Sequence, residues 1–141
     1  MAKDQAAVEF LSSCPLFARF KPKELQALLA SAQRREFETG STIVHDGDSG
    51  LGFYLVVEGD VEVRKGERAL RRLGKGDFFG EMALLDGSPR SADVVALAPT
   101  TCLVVTSWDL HGLISRHPSM AIAMMGELAR RLRETNQALT E

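Results

Sequence analysis

Hydrophobic and polar residues change their pattern along the chain. Residues 5–33 show no strand-like alternation and contain Pro15 and Pro22, which predicts short helices interrupted at the prolines. Residues 37–106 consist of short β-branched and aromatic runs separated by glycine-bearing turns, which is typical of a compact β structure. From Pro118 onward Glu, Leu, Ala and Arg dominate without a further proline, which predicts one long helix.

The residues between these runs predict where elements begin and turn. Lys21–Glu24 suits the start of a helix, with Pro22 in its first turn. Glu58–Asp60 lies between two alternating runs and predicts a tight hairpin around Gly59. The strand-like runs themselves are Thr42–Val44, Phe53–Val57, Val61–Val63, Ala92–Ala96 and Cys102–Val105.

Together these elements predict an α+β fold. We expect an antiparallel, jelly-roll-like β-roll of about eight strands, with short helices before it and a long helix after it. The chain has 141 residues, which is the size of one domain. Within this single domain, 1–141, the N-terminal helices are expected over 1–34, the β-roll over 35–107 and the C-terminal helices over 108–141.

The charge balance argues against nucleic acid as a partner. Lys and Arg number 17 against 19 Asp and Glu, a net charge of −2, whereas nucleic-acid binding usually needs a basic excess. The basic residues between 64 and 75 are interpreted as a solvated face. Because no apolar run approaches the roughly 20 residues of a membrane helix and no apolar signal segment occurs at the start, we expect a cytoplasmic protein without membrane contact.

The sequence offers no metal site or reactive cysteine pair. His45, His111 and His117 are scattered without the spacing of metal ligands, so no metal cofactor and no metal enzyme are expected. Cys14 and Cys102 lack a CxxC spacing and are interpreted as buried reduced thiols.

Two further features are interpreted as structural. Asp46–Gly50 lacks the glycine and glutamate spacing of a calcium loop and predicts a polar turn. Phe79 and Trp108 are expected in the hydrophobic core.

One stretch, residues 78–96, departs from the β pattern and carries candidate chemistry. Gly80 permits a sharp entry, Glu81–Leu85 can form about one helical turn, and Gly87 can end it in a left-handed conformation. The first N–H groups of such a turn can attract an anion. The planar fork of Arg90 can grip a phosphate, and the Glu81 carboxylate can accept a hydrogen bond from a hydroxyl.

The run Phe-Gly-Glu-x-Ala-Leu, followed after a short gap by Arg-Ser-Ala-x-Val, resembles the phosphate-binding cassette of cyclic nucleotide-binding domains. The similarity extends over nearly the whole chain, including Gly40–Ile43 and Leu73–Asp77. It implies that Glu81 binds the ribose 2′-hydroxyl and Arg90 the cyclic phosphate. The ligand-binding residues it implies in the cassette are Gly80, Glu81, Met82, Ala83, Arg90, Ser91 and Ala92. Taken alone, Glu81 and Arg90 also fit an internal ion pair that ties a loop to the roll.

The same resemblance bears on the base. The serine that follows the arginine, Ser91, resembles that of bacterial family members that bind cyclic AMP. The C-terminal helix also resembles theirs, which implies adenine contacts from Thr135 and Asn136 and a further ligand-binding residue at Arg131. Asn136 replaces a serine in that comparison, although an amide still offers a donor and an acceptor. Cyclic AMP is therefore expected in preference to cyclic GMP.

The C-terminal helix also carries a seam with alternating spacings of three and four residues. Its members are Ile122, Met125, Ala129, Leu132, Asn136 and Leu139. Such a seam favours a homodimer with paired helices, in which Asn136 fixes the register. The alternative is that the helix packs its apolar stripe on its own β-roll.

The sequence thus predicts a cyclic nucleotide-binding sensor without enzymatic activity, which signals by repositioning its C-terminal helix toward an unidentified effector protein or domain. The alternative is a vestigial β-roll that serves for dimerisation or interaction and binds no nucleotide. Whether the chain acts alone or as part of a longer protein stays open.

Overall fold

The computed structural model describes residues 2–49, 52–81 and 83–140. The chain divides into two compact units: a helical unit from residues 1–30 and 110–141, and a β unit from residues 31–109. The prediction that all 141 residues form one domain stays a prediction.

The described residues contain five α-helices and eight strands. The helices are α1 Ala2–Ser13, α2 Pro22–Ser31, α3 Ala83–Asp86, α4 Ser107–Arg116 and α5 Ser119–Thr140, with a 3₁₀ turn at Pro15–Phe17. The strands are β1 Gln33–Phe37, β2 Thr42–Val44, β3 Gly52–Glu58, β4 Asp60–Lys65, β5 Arg68–Gly74, β6 Phe78–Phe79, β7 Asp93–Ala96 and β8 Thr100–Thr106. The predicted α+β class with a β-roll and a long C-terminal helix is confirmed.

The β unit is built from two antiparallel four-stranded sheets, with strand orders β1-β8-β3-β6 and β2-β7-β4-β5. Alternate residues of the strands point into one hydrophobic cluster, because successive side chains of a strand face opposite sides of its sheet. The buried members of this cluster are Val44, Val56, Val61, Val63, Leu73, Phe79, Val94, Cys102 and Val104.

The predicted hairpin at Glu58–Asp60 is wrong. Strands β3 and β4 belong to different sheets, so the chain crosses between the sheets at Gly59 instead of folding back on itself. Gly59 has φ +117°, and a Cβ there would lie 2.6 Å from Thr100 Cα and 2.8 Å from the Pro99 carbonyl oxygen. Glycine is needed at this crossing both for its backbone angle and for its lack of a side chain.

In the helical unit, α2 begins at Pro22 as predicted, and a buried carboxylate stabilises its start. Glu24 is 5% exposed; it accepts a hydrogen bond from the Lys21 N–H at 2.7 Å and another from the Ser119 hydroxyl. These hydrogen bonds, led by that from Lys21, lower the pKa of Glu24 below its usual value. The same side chain therefore caps one helix and joins the start of α5 to it.

Helix α5 has 22 residues, which confirms the predicted long helix. Its side chains divide by burial: Met120, Met124 and Glu127 are buried, and the buried Glu127 carboxylate is held by Arg130 at 2.7 Å. The predicted seam is largely exposed, with Ile122, Met125, Leu132 and Leu139 all more than half accessible. The division leaves an apolar seam outside the stripe that this chain buries.

The predictions for the cysteines and for Trp108 have different outcomes. Cys14 and Cys102 are free and buried as predicted, and burial raises the pKa of the Cys102 thiol to about 12. Phe79 is in the core as predicted, whereas Trp108 is 69% exposed, so its prediction as a core residue is wrong. Its position at the first turn of α4, directly after a strand, leaves the indole outside the cluster between the sheets.

Within the described part of the chain, no helix has the length and apolar character needed to span a bilayer.

Candidate functional site

The cassette folds as a turn, a short helix and a second turn between β6 and β7. Gly80 adopts φ +84°, which L side chains rarely adopt, and redirects the chain out of β6. The helix α3 covers Ala83–Asp86 and ends one residue later than predicted, and the Gly87 N–H closes it by donating to the Ala83 carbonyl at 2.7 Å. Gly87 has φ +67°, which confirms the predicted left-handed end. Met82 lies outside the described residues.

A cavity of about 320 Å³, which we call the cassette cavity, opens beside α3. It brings together the described cassette residues named from the sequence: Gly80, Glu81, Ala83, Arg90, Ser91 and Ala92. The remaining lining residues are Val44, Val63, Arg71, Phe78, Phe79, Pro89 and Val94. The cavity thus has an apolar floor with two arginines and one carboxylate at its walls, a composition suited to a ligand with both a ring and an anionic group.

A backbone carbonyl and an aromatic ring hold the side chain of Arg90 in place. One terminal nitrogen, Nη2, donates to the Gly52 carbonyl, and the guanidinium carbon lies 5.8 Å from the centroid of the Tyr54 ring. That ring is stacked on Phe79 at 4.8 Å. Tyr54 and the backbone of β3 therefore fix the position of the guanidinium.

Among the described residues, no carboxylate lies within ion-pair distance of Arg90, and its buried Nε has no hydrogen-bond partner. The internal ion pair between Glu81 and Arg90 is therefore not formed. Burial lowers the pKa of Arg90 below its usual value, partly offset by Tyr54 and Asp48. A half-buried cation without a counter-ion is costly in a protein, and an incoming anion relieves that cost.

The backbone of Arg90 is fixed on both sides by the turn that precedes β3. The Arg90 N–H donates to the Asp48 carbonyl at 2.7 Å, and the Gly47 N–H donates to the Arg90 carbonyl at 2.8 Å. Through this paired hydrogen bonding, the polar turn at Asp46–Asp48 positions the backbone of Arg90.

Lys65 extends this fixation to the next residue. Its Nζ donates to Asp46 Oδ2 at 2.6 Å and to the Ser91 carbonyl at 3.0 Å. The Asp46 N–H in turn donates to Asp93 Oδ1 at 2.7 Å. One lysine therefore bridges the turn and the cassette.

Glu81 is the second polar group of the cavity. Its side chain is only 9% exposed, which is unusual for a glutamate. A carboxylate at this depth can accept hydrogen bonds from a ligand hydroxyl that enters the cavity.

Sequence reasoning missed Arg71 as a cavity residue. It was grouped with the basic residues of a solvated face, and it is indeed exposed, yet it also lines the cassette cavity. Strand alternation was the available signal, because Arg71 lies two residues before the buried Leu73 and pairs with the buried Val63 across β4 and β5. This alternation could be used only once Arg68–Gly74 was known to be a strand.

The predicted base-contacting residues lie on α5, in the helical unit. The Thr135 hydroxyl donates to the Arg131 carbonyl of its own helix at 3.0 Å, and Asn136 is exposed. Arg131 Nε lies 3.7 Å from the Glu127 carboxylate. Their contacts with a nucleotide stay predictions.

No group of three or more His, Cys, Asp or Glu side chains that could hold a metal ion occurs among residues 2–49, 52–81 and 83–140.

Comparison with known proteins gives a consistent picture. A family model described as "Cyclic nucleotide-binding domain" matches residues 34–117. The chain is similar to a cyclic AMP receptor protein of Thermus thermophilus, with 40% identity over 134 residues, which are 92% of this chain and 62% of that protein. It is also similar to a cAMP-dependent protein kinase regulatory subunit of Mycosarcoma maydis, with 41% identity over 96 residues, which are 65% of this chain and 18% of that protein.

A solved structure shares the fold. The crystal structure of the N-terminal domain of a transcriptional regulator from Streptomyces coelicolor A3(2) superposes with a TM-score of 0.86 and 33% identity, covering 92% of this chain and 96% of that one. The chain spans less than two thirds of the length of both curated relatives.

Proposed function

The chain belongs to the cyclic nucleotide-binding domain family, and on that premise we propose that it binds cyclic AMP and acts as a regulatory module. The observation that carries this proposal is the guanidinium of Arg90, which is half-buried at the cassette cavity without a carboxylate partner among the described residues. A cyclic phosphate supplies the missing negative charge and two acceptor oxygens for the free edge of the guanidinium.

The remaining cassette residues are assigned by their chemistry. Glu81 accepts a hydrogen bond from the ribose 2′-hydroxyl, because its carboxylate lines the cavity and its oxygens have several acceptor lone pairs. Gly80 allows the backbone to approach the ligand closely, and Ala83, Ser91 and Ala92 form the wall around it. From the sequence we retain Met82 as a further contact of the cassette.

For the base, we propose adenine, held by Arg131, Thr135 and Asn136. Two similar proteins are named for cyclic AMP, which supports this choice. Arg71 favours cyclic GMP as a second candidate, because an arginine at the cavity wall can donate two hydrogen bonds to the O6 and N7 atoms of guanine. Adenine presents an amino group at the position of O6 and cannot accept both.

We propose that binding repositions α5 and that the exposed seam pairs with a second copy of the chain. The accessibility of Ile122, Met125 and Leu132 supports a seam that is available for pairing. The signal then passes to an effector protein or domain, without catalysis by this chain. Action in the cytoplasm and the absence of a nucleic-acid partner stay predictions.

The test is calorimetric titration of the chain with cyclic AMP and then cyclic GMP, using Arg90→Ala and the control Arg68→Ala. Arg68 is an exposed arginine on β5 that does not line the cavity. We expect Arg90→Ala to weaken binding about 30- to 1,000-fold, from the loss of a charge-assisted bidentate contact of about 2–4 kcal/mol. Arg68→Ala is expected to bind like the wild type.

Absence of binding by the wild-type chain, after any copurified nucleotide has been removed, would instead support the vestigial interaction module. Equal affinities in Arg90→Ala and the wild type would contradict the role of Arg90. Titration of Arg71→Ser separates the two bases, because loss of affinity confined to cyclic GMP assigns Arg71 to guanine.

A further inference from the structure

A second cavity of about 230 Å³ lies in the β unit, and Arg90 is one of its lining residues. We call it the Trp108 cavity, after the exposed indole at its rim. A Cβ on Gly80, in the cassette cavity, would collide with Nη1 of Arg90, whereas Nη2 donates to the carbonyl of Gly52, which lines the Trp108 cavity. Arg90 lines both this cavity and the cassette cavity.

The Trp108 cavity carries excess positive charge. Arg35 and Arg90 both line it, and neither forms an ion pair in the described part of the chain. Asp48 is the one carboxylate in its lining, and it lies 3.3 Å from His45 Nδ1. Two cations against one carboxylate in the described lining leave an excess positive charge, which favours an anionic occupant.

The orientation of Arg35 follows from the strand register. Arg35 pairs with Cys102 across β1 and β8, and Cys102 belongs to the cluster between the sheets. Directly paired residues of antiparallel strands share a face, so the Arg35 side chain lies on the inner side of its sheet. Arg34 pairs with Leu103 and lies on the opposite face.

Aromatic and apolar surfaces complete the Trp108 cavity. Trp108 and Tyr54 contribute rings, and Ile43, Val44 and Val104 contribute an apolar floor. Trp108 is 69% exposed, and a large exposed aromatic next to a cavity is a common anchor for a planar ligand. The volume is below the roughly 300 Å³ of cavities for drug-sized ligands, which suits a ligand with one ring.

We propose that the Trp108 cavity is a second ligand site, which binds a small aromatic carboxylate. The ring stacks against Trp108 over the apolar floor, and the carboxylate pairs with the guanidinium of Arg35. The site shares only Arg90 and Val44 with the lining of the cassette cavity, and the proposal does not depend on which nucleotide that cavity takes.

The chain carries a built-in reporter for the test, since Trp108 is its single tryptophan. Benzoate is the probe, titrated at constant ionic strength while the fluorescence of Trp108 is recorded. We expect a saturable change in the wild type, with no saturable change for benzyl alcohol, which lacks the carboxylate, or for acetate, which lacks the ring. Equilibrium dialysis with labelled benzoate measures the same binding independently of fluorescence.

Two neighbouring arginines of β1 provide matched variants. Arg35→Gln is expected to weaken benzoate binding at least about tenfold through loss of the charge-assisted pair, whereas Arg34→Gln is expected to bind within about twofold of the wild type. Both side chains are exposed, so neither substitution removes a buried contact. Equal binding by Arg35→Gln and the wild type, or no saturable binding by dialysis, would overturn the proposal. Benzyl alcohol binding as tightly as benzoate would overturn the assignment to a carboxylate.

Discussion

Replacing Gly80 with alanine perturbs the backbone angle and the space around Arg90 at the same time. The residue has φ +84°, and a Cβ there would lie 2.5 Å from the Gly52 carbonyl oxygen and would also collide with Nη1 of Arg90. The arginine tip can move, whereas the carbonyl belongs to β3, where Gly52 pairs with Thr106 of β8. The backbone contact is therefore the costlier of the two.

Gly40 offers a matched control for the backbone angle alone. It has φ +88°, nearly the same angle, and a Cβ there meets nothing within 4 Å. Alanine in this left-handed region costs about 1–2 kcal/mol, which is the loss of stability expected for Gly40→Ala. The steric conflict at Gly80 adds about 1–3 kcal/mol, so we expect Gly80→Ala to lose about 2–5 kcal/mol.

The two variants also differ in the expected effect on ligand binding. Displacement of Arg90 in Gly80→Ala removes a charge-assisted contact of about 1.5–3 kcal/mol and weakens cyclic nucleotide binding about 10- to 150-fold. Gly40→Ala leaves the cassette cavity intact and is expected to retain the wild-type affinity. Urea denaturation gives the free energies of unfolding, and calorimetric titration gives the affinities.

Equal losses of stability in the two variants would refute the steric reasoning. A Gly80→Ala chain that remains folded and binds nucleotide with wild-type affinity would refute the contact between the Gly80 position and Arg90. A variant too unstable for titration still yields the stability comparison.

Three further outcomes are expected. Lys65→Met removes the bridge to the Ser91 carbonyl, so nucleotide affinity should fall a few-fold by titration, while stability changes by less than about 1 kcal/mol because the ion pair is largely exposed. Hydrogen bonds lower the pKa of Glu24 in the folded chain. The stability that this carboxylate contributes is therefore complete above its usual pKa of 4.5 and is lost as the pH falls below that value. Denaturation at pH 7 and at pH 3.5 should show a larger acid-induced loss of stability in the wild type than in Glu24→Gln. Gly126→Ala should stabilise α5 by up to about 1 kcal/mol and raise the melting temperature, because only the flexible tip of Arg19 has to move to make room for the methyl group. A lower melting temperature in this variant would contradict that interpretation of the contact.

The sequence pattern was sufficient for elements whose formation is locally encoded. Pro22 at a helix start and the long run after Pro118 are such cases. The cassette is another, because Gly87 adopts the expected left-handed angle and Gly80 forms the expected sharp entry. The residues of the cassette cavity that the family resemblance implied are brought together because they are close in sequence.

Elements that depend on distant partners were not predictable in this way. Strand β1, Gln33–Phe37, has mostly polar residues and no alternation, and it forms because its backbone pairs with β8 some seventy residues away, at Arg35↔Cys102 for example. The local sequence around Gly59 is that of a hairpin. The change from one sheet to the other becomes visible only from the pairing of β4 with β7. Trp108 was placed in the core on residue type alone, although its position depends on where β8 ends and α4 begins.

Arg90 lines both cavities, and this has a thermodynamic consequence for the two ligands that we propose. Two anions that draw on one cation share its charge, so occupation of either cavity weakens binding at the other. Thermodynamic linkage requires the effect to be reciprocal: if the carboxylate lowers the affinity for the nucleotide by some factor, the nucleotide lowers the affinity for the carboxylate by the same factor. If both ligands bind as proposed, the chain would respond to the ratio of the two ligand concentrations rather than to the level of one.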